Sequence, residues 1–210
     1  MAFINLKKQE IQCKIVYYGP GRSGKTTNLE YIYNRFRNQI QGEMVTIKTE
    51  EDRTLFFDFL PIGLGKIQGF NVRIQLYTVP GQVMYNSTRR LVLKGVDGVV
   101  FVADSLVDRR KKNIVSLKNL HENLLSYQKN IFKVPLVLQF NKRDIGQNGI
   151  PILSEEIMNN DLNSRLKVPT FLASATQGAN VVNTLKSIIK LTVSAVEANI
   201  LQGEQRVRNS

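Results

Sequence analysis

The chain has a single cysteine, Cys13, a single histidine, His121, and no apolar run long enough to span a bilayer. Each scarcity excludes something. One thiol cannot build an internal disulfide framework, and a cysteine inside a β-rich stretch reads as a small buried hydrophobe rather than a reactive group. His121 lies beside leucines in a long helical stretch, so it reads as a packed or solvated side chain, and no histidine general base is expected. The start, Met-Ala-Phe-Ile, shows neither a signal peptide nor a glycine for myristoylation, and the end shows no prenylation cysteine. A soluble, cytoplasmic protein is expected. Acidic residues are scarce too, 17 Asp and Glu against 29 Lys and Arg, for a net charge of +12. That balance suits a solvated basic face, or else acidic partners, nucleic acid or an anionic membrane surface. No basic motif with interleaved aromatics accompanies it, so nucleic acid is not expected. Peripheral contact with anionic surfaces stays open, and Arg109 to Lys112 is the strongest basic run.

What is present is an ordinary globular composition, 210 residues of which 42% are hydrophobic, enough for one full-sized core. No repeat or low-complexity segment divides it. Residues 1–201 read as one domain and 202–210 as a frayed polar tail. The most informative stretch is Gly19-Pro20-Gly21-Arg22-Ser23-Gly24-Lys25-Thr26, followed by Thr27. It fits G-x-x-x-x-G-K-[ST] and stands between a β-rich segment, 11–18, and a helical one, 26–38, with Leu29, Ile32, Tyr33 and Phe36 on one face. In such a P-loop, glycines let successive backbone N–H groups turn toward phosphate oxygens. Lys25 brings a positive charge to the β- and γ-phosphates, the helix N-terminus adds its own field, and Thr26 offers a hydroxyl to Mg²⁺.

The remaining pattern predicts an α/β fold with a doubly wound, mainly parallel sheet of about six strands, an antiparallel second strand and helices on both faces. Residues 39–52 read as a loop. Residues 54–60 and 70–77 flank a turn rich in Gly63, Gly65 and Gly69 and form an antiparallel hairpin. Continuous apolar runs at 98–104 and 135–140 suit strands buried on both faces. A long helix over 108–129, a weaker strand at 169–172 and a helix over 180–200 complete the unit.

Asn141-Lys142-Arg143-Asp144 follows the 135–140 strand, on the edge of the sheet where ligands bind in this architecture. A carboxylate at Asp144 accepts from guanine N1–H and its 2-amino group together. Adenine offers neither donor and leaves the carboxylate unpaired, at a cost of about 1–3 kcal/mol. Asn141 braces base and P-loop, and the Lys142 stem lies over the ring.

With the P-loop, this motif and Ser174-Ala175-Thr176 in place, the chain resembles the small Ras-like GTPases over nearly its whole length. Tyr17 to Gly21, Thr49 to Leu60 and Leu76 to Gln82 make it similar to the MglA-type branch, bacterial GTPases of cell polarity and gliding motility. The resemblance implies GTP/GDP and Mg²⁺ as ligands, with the Ala175 amide at the guanine O6 and Ser174 and Gly81 among the nucleotide-binding residues. It implies Thr26 and Thr54 on the metal, and Gln82 orienting the attacking water. It also implies two mobile loops, 39–53 and 80–93, a roadblock-type activating partner like MglB, effectors of polarity or motility, and recruitment to cell poles.

One departure stands out, since the family's Asp-x-x-Gly is replaced by Thr78-Val79-Pro80-Gly81, so a negative charge near the metal is missing. Asp58 is either a substitute carboxylate or the partner of a neighbouring cation. Arg53 is either an arginine finger supplied in cis or a loop residue paired with Glu50, Glu51 or Asp52, and the resemblance favours the first. Two activities compete: a slow GTPase switch and a nucleotide-binding scaffold with negligible turnover. Gly21 lies where a side chain would crowd Gln82 and Arg53, so Gly21→Val is expected to bind GTP without hydrolysing it. Wild-type phosphate release from that variant would refute this arrangement.

Overall fold

The computed structural model describes residues 3–5, 9–37, 45–48, 54–67, 70–81 and 85–208. Its strands are β1 (Phe3–Asn5), β2 (Glu10–Tyr18), β3 (Val45–Lys48), β4 (Thr54–Ile67), β5 (Phe70–Thr78), β6 (Gly98–Asp104), β7 (Leu136–Asn141) and β8 (Thr170–Leu172). The helices are α1 (Lys25–Phe36), α2 (Asn86–Leu93), α3 (Arg110–Leu125), α4 (Glu155–Leu162) and α5 (Val181–Arg208).

The period-two alternation of β2 decides how the layers form. Ile15 and Tyr17 pack into one apolar cluster with Leu29 and Ile32 of α1 and Leu185 and Ile188 of α5. Val16 and Tyr18 point the other way, to a second cluster with Leu93 of α2, Leu120 and Leu124 of α3 and Met158 of α4. With both faces covered, β6 and β7 are buried at every position, which explains their unbroken apolar runs. Each fully buried aliphatic side chain contributes about 1.5–3 kcal/mol of transfer free energy.

The strand order is β3-β4-β5-β2-β6-β7-β8, with β1 antiparallel to β2 at its start. From β5 to β8 neighbours are parallel, while β4 runs against β5 and β3 against β4. After β2 the chain leaves for β5 on one side and returns to β6 on the other. The carboxyl end of β2 therefore faces the crevice where ligands bind in such sheets. Every expected strand is found, and the hairpin pairs from Phe59↔Tyr77 to Ile67↔Phe70, irregular between Gly63 and Lys66.

The described sheet has eight strands against about six expected, and Gly63 and Gly65 lie inside β4 rather than in the hairpin turn. Other features differ from the sequence reading too. Val45–Lys48, inside the stretch read as a loop, is an edge strand on β4; its β-branched Val-Thr-Ile core was outweighed by polar flanks. The last helix continues to Arg208, through most of the supposed tail, because Gln, Glu and Arg favour helix and no proline stops it. Helix α2 occupies part of the second expected mobile loop. Helix α4 went unread, although Ser154 caps it by accepting from Ile157 N at 3.2 Å and Glu155 and Glu156 fill its first turn.

Cys13 is fully buried in β2, as its setting suggested. Burial, and then the charge of Asp97, pushes the thiol up from 9.0 to about 12. Because the folded state favours the protonated thiol, its contribution to stability is complete below about 9 and is lost as pH climbs toward about 12. Cys13 is expected to resist alkylation at pH 8 in the native protein and to react fully in denaturant, measured by mass spectrometry.

Candidate functional site

Three strand ends and two loops build one cleft. Strand β2 delivers the P-loop, and Gly24 caps α1 at φ 94°, a backbone state open to glycine but costly for other residues. A Cβ there would also strike the Asn141 side-chain nitrogen. The loop's carbonyls are engaged: Pro20 O accepts from Ser23 N at 3.4 Å and from Lys25 Nζ at 2.8 Å. Gly24 O takes Asn28 N at 3.0 Å and Asn28 Nδ2 at 2.8 Å. The first amides of α1 have no intrahelical acceptor, and Lys25, Thr26 and Thr27 line the cavity beside them. Lys25 is buried, and its ammonium also meets Gly19 O at 3.2 Å. Ser23 is buried and Arg22 exposed. The arrangement suits a polyphosphate.

At the other end, β7 presents Asn141, whose amide does two things at once. Its Nδ2 donates to Ser23 O of the P-loop at 2.8 Å, and its Oδ1 accepts the Ala175 amide at 2.8 Å. The expected link from Asn141 to the P-loop is therefore present, and its other partner is the Ala175 amide. The Ala175 N–H, expected at guanine O6, is held by Asn141 in this structure. Ser174 is buried and steadies its turn by accepting Gln177 N at 3.2 Å. Asp144 is half-buried and receives the Thr176 hydroxyl at 3.4 Å. Lys142 stands at φ 69° and donates to the buried Asp104 at 2.6 Å.

Between the two ends, Gly81 lies against the P-loop, where an added Cβ would overlap the Gly21 and Pro20 backbone. Thr78 is wholly buried at the end of β5, a hydroxyl where the family pattern has a carboxylate. The backbone of Thr54 opens β4 beside Lys48, and that of Asp58 pairs with Thr46. Arg53 and Gln82 lie outside the described residues. Among the described residues no group of three His, Cys, Asp or Glu forms a metal site. The donor set suits Mg²⁺ held by the Thr26 hydroxyl and phosphate oxygens, with water in the remaining octahedral positions.

Sequence reading missed a second set of polar residues. Arg89 of α2 is 1% exposed; it stacks over the Tyr18 ring at 4.5 Å and donates to Ser116 Oγ at 2.9 Å. Burial lowers its pKa. The Tyr18 hydroxyl donates to Asn119 Oδ1 at 2.6 Å, and Asn119 and Asn123 each donate to Asn86 Oδ1 at 2.9 Å. The residue just before the P-loop is thereby tied to α2 through α3. The one signal was spacing, since Arg89 shares the buried stripe with Val92 and Leu93 while Leu91 is exposed. The basic run also divides. Arg110 makes a bidentate pair with Asp161 at 2.7 and 2.9 Å, whereas Arg109, Lys111 and Lys112 line the cleft.

The cavity encloses about 1360 Å³, beyond the roughly 300–1,000 Å³ of a small-molecule site, because it continues from the phosphate cradle along α3. The P-loop, the Asn141 brace and the half-buried Asp144 carboxylate thus line one cleft, an arrangement that suits a guanine nucleotide. The chain belongs to the ADP-ribosylation factor family, whose profile matches residues 1–192, and is a small GTPase that hydrolyses GTP. It is also 51% identical over 197 residues, covering 94% of this chain and 98% of the relative, to the mutual gliding-motility protein MglA of Myxococcus xanthus (strain DK1622). Among the described residues no helix is long and apolar enough to cross a membrane.

Asn141→Ala removes both brace bonds and leaves the Ala175 amide and Ser23 carbonyl unpaired. At about 1 kcal/mol or more for each buried unpaired group, release of a fluorescent GDP analogue is expected to quicken by on the order of tenfold or more. An unchanged rate would refute the brace.

Proposed function

We propose that this GTPase is a switch for cell polarity or motility. The observation that supports this reading most is the 51% identity to a gliding-motility protein over almost the whole of both chains. The nucleotide is bound through Gly19 to Thr27 at its phosphates and through Asn141, Lys142, Asp144, Ser174 and Ala175 at its base. Bound Mg²⁺ would neutralise phosphate charge, with Thr26 and Thr54 as its protein ligands. Gly81 reports the γ-phosphate to the segment that follows it, and the absence of side chains at Gly21 and Gly81 lets those two backbones touch.

Phosphoryl transfer to water needs positioning and charge rather than a covalent partner. Gln82 orients the water, and Arg53 stabilises charge on the transferring group, a role worth roughly 10³–10⁵ in rate where such fingers operate. The output is a surface rather than a product: the segments 39–53 and 80–93, which include β3 and α2, follow the γ-phosphate and present different faces to partners. Those partners are a roadblock-type activating protein like MglB and effectors of polarity or motility, and the protein works in the cytoplasm with recruitment to cell poles.

Single-turnover GTP hydrolysis, with and without a roadblock-type partner, tests the reading. The partner is expected to accelerate phosphate release, with Arg53→Ala and Gln82→Ala each abolishing the acceleration. Acceleration that survives either substitution would refute the catalytic role proposed for that residue.

A further inference from the structure

Asp104, the last residue of β6, belongs to neither nucleotide motif. It is wholly buried, and its carboxylate is used on both oxygens. Oδ1 accepts the Leu106 amide at 3.1 Å, and Oδ2 accepts Lys142 Nζ at 2.6 Å. The backbone beneath it is clamped, since Asn113 of α3 accepts from Asp104 N at 2.9 Å and donates to Asp104 O at 2.8 Å. The next residue is fixed as well, Ser105 N donating to Asn141 O at 3.0 Å. A buried carboxylate requires a cation. Two reach it: Lys142 in direct contact, and Arg109, whose Nε lies 3.9 Å from the same oxygen.

Lys142 is the residue that needs fixing. Its left-handed backbone, at φ 69°, is disfavoured for a side chain with a Cβ, and a long flexible stem loses considerable rotamer freedom when ordered. We infer that Asp104 is a positioning residue for the guanine pocket: it anchors the Lys142 ammonium so that the methylene stem lies as a preformed wall against the base. This inference rests on the reading of Lys142 as part of that pocket. Asp104 touches no nucleotide and acts through Lys142. It prepays the ordering of the lysine, so binding does not have to supply it.

A double-mutant cycle separates this from a buttress that merely joins β6 to β7. Asp104→Asn retains an acceptor for Leu106 N and loses the charge. Lys142→Met retains an apolar stem and loses the ammonium. Release of a fluorescent GDP analogue from the full chain is expected to quicken on the order of tenfold in each single variant, the scale of one charge-assisted hydrogen bond. The double variant is expected to release no faster than Lys142→Met alone. Multiplied effects in the double variant, or an unchanged rate in Asp104→Asn, overturn the inference. An unchanged rate in Lys142→Met, with Asp104→Asn fast, instead sinks the assignment of Lys142 to the base. Should Asp104→Asn not fold, a crystal structure of the wild-type protein with GDP decides. Lys142 Nζ is expected on Asp104 with its methylenes against the purine, and an ammonium turned away from Asp104 overturns the proposal.

Discussion

The side-chain amide of Asn141 is the constraint on which the rest of the site depends. Strands β2 and β7 are separated by β6, and neither the P-loop nor the base loop touches the other through regular backbone pairing. One buried amide spans the gap, donating to Ser23 O and accepting from Ala175 N. Its geometry permits both only if Gly24 carries no Cβ, so the glycine of one motif and the asparagine of the other form a single device. Buried hydrogen bonds of this kind hold a register more firmly than apolar packing, because a shifted amide leaves two polar groups unpaired.

The same logic recurs on both sides of that brace. Tyr18, one residue before the P-loop, bonds to α3 and through it to Asn86 at the start of α2. Asp104, one strand over, bonds to Lys142 and is clamped by Asn113 of α3. Helix α3 therefore serves as a polar backbone for the cleft. Its inward face carries Asn113, Ser116, Asn119 and Asn123 where an amphipathic core helix would carry leucines. The apolar contribution of α3 is confined to Leu120, Leu124 and the half-buried Leu117. Packing there specifies geometry more than it adds stability.

This division explains what was legible in the sequence. Strands were legible because apolar runs and period-two alternation leave strong local signals, and the P-loop and the Asn141 to Asp144 motif were legible because their chemistry needs fixed residues at fixed spacing. Helix α3 was found from its leucines, but its asparagines passed unremarked, since no local pattern separates a buried, paired asparagine from an exposed one. Arg89 was hidden for the same reason, its partners Tyr18 and Ser116 standing 71 residues before and 27 after it in the chain. Asp104 looked like the polar end of an apolar strand. Its significance comes from Lys142, which the fold alone brings to it.

The net charge of +12 is explained in part by where the cations go. Some are paired at the surface: Arg110 with Asp161, Arg73 with Glu10, and Lys14 with Lys94 O and the Tyr77 ring. Among the described residues that line the cleft, eight cationic side chains stand against three carboxylates, which makes it a focusing site for a polyanion. Thr78 contributes in the same direction. An aspartate at that buried position would add a negative charge facing the phosphates as well as the metal, and in a low-dielectric site each such charge is felt strongly. In the proposed site a hydroxyl there would hold Mg²⁺ less firmly and leave a stronger positive field on the nucleotide. The two consequences are opposite in sign for metal and phosphate, so nucleotide binding is expected to depend less on the metal than in a site carrying that carboxylate.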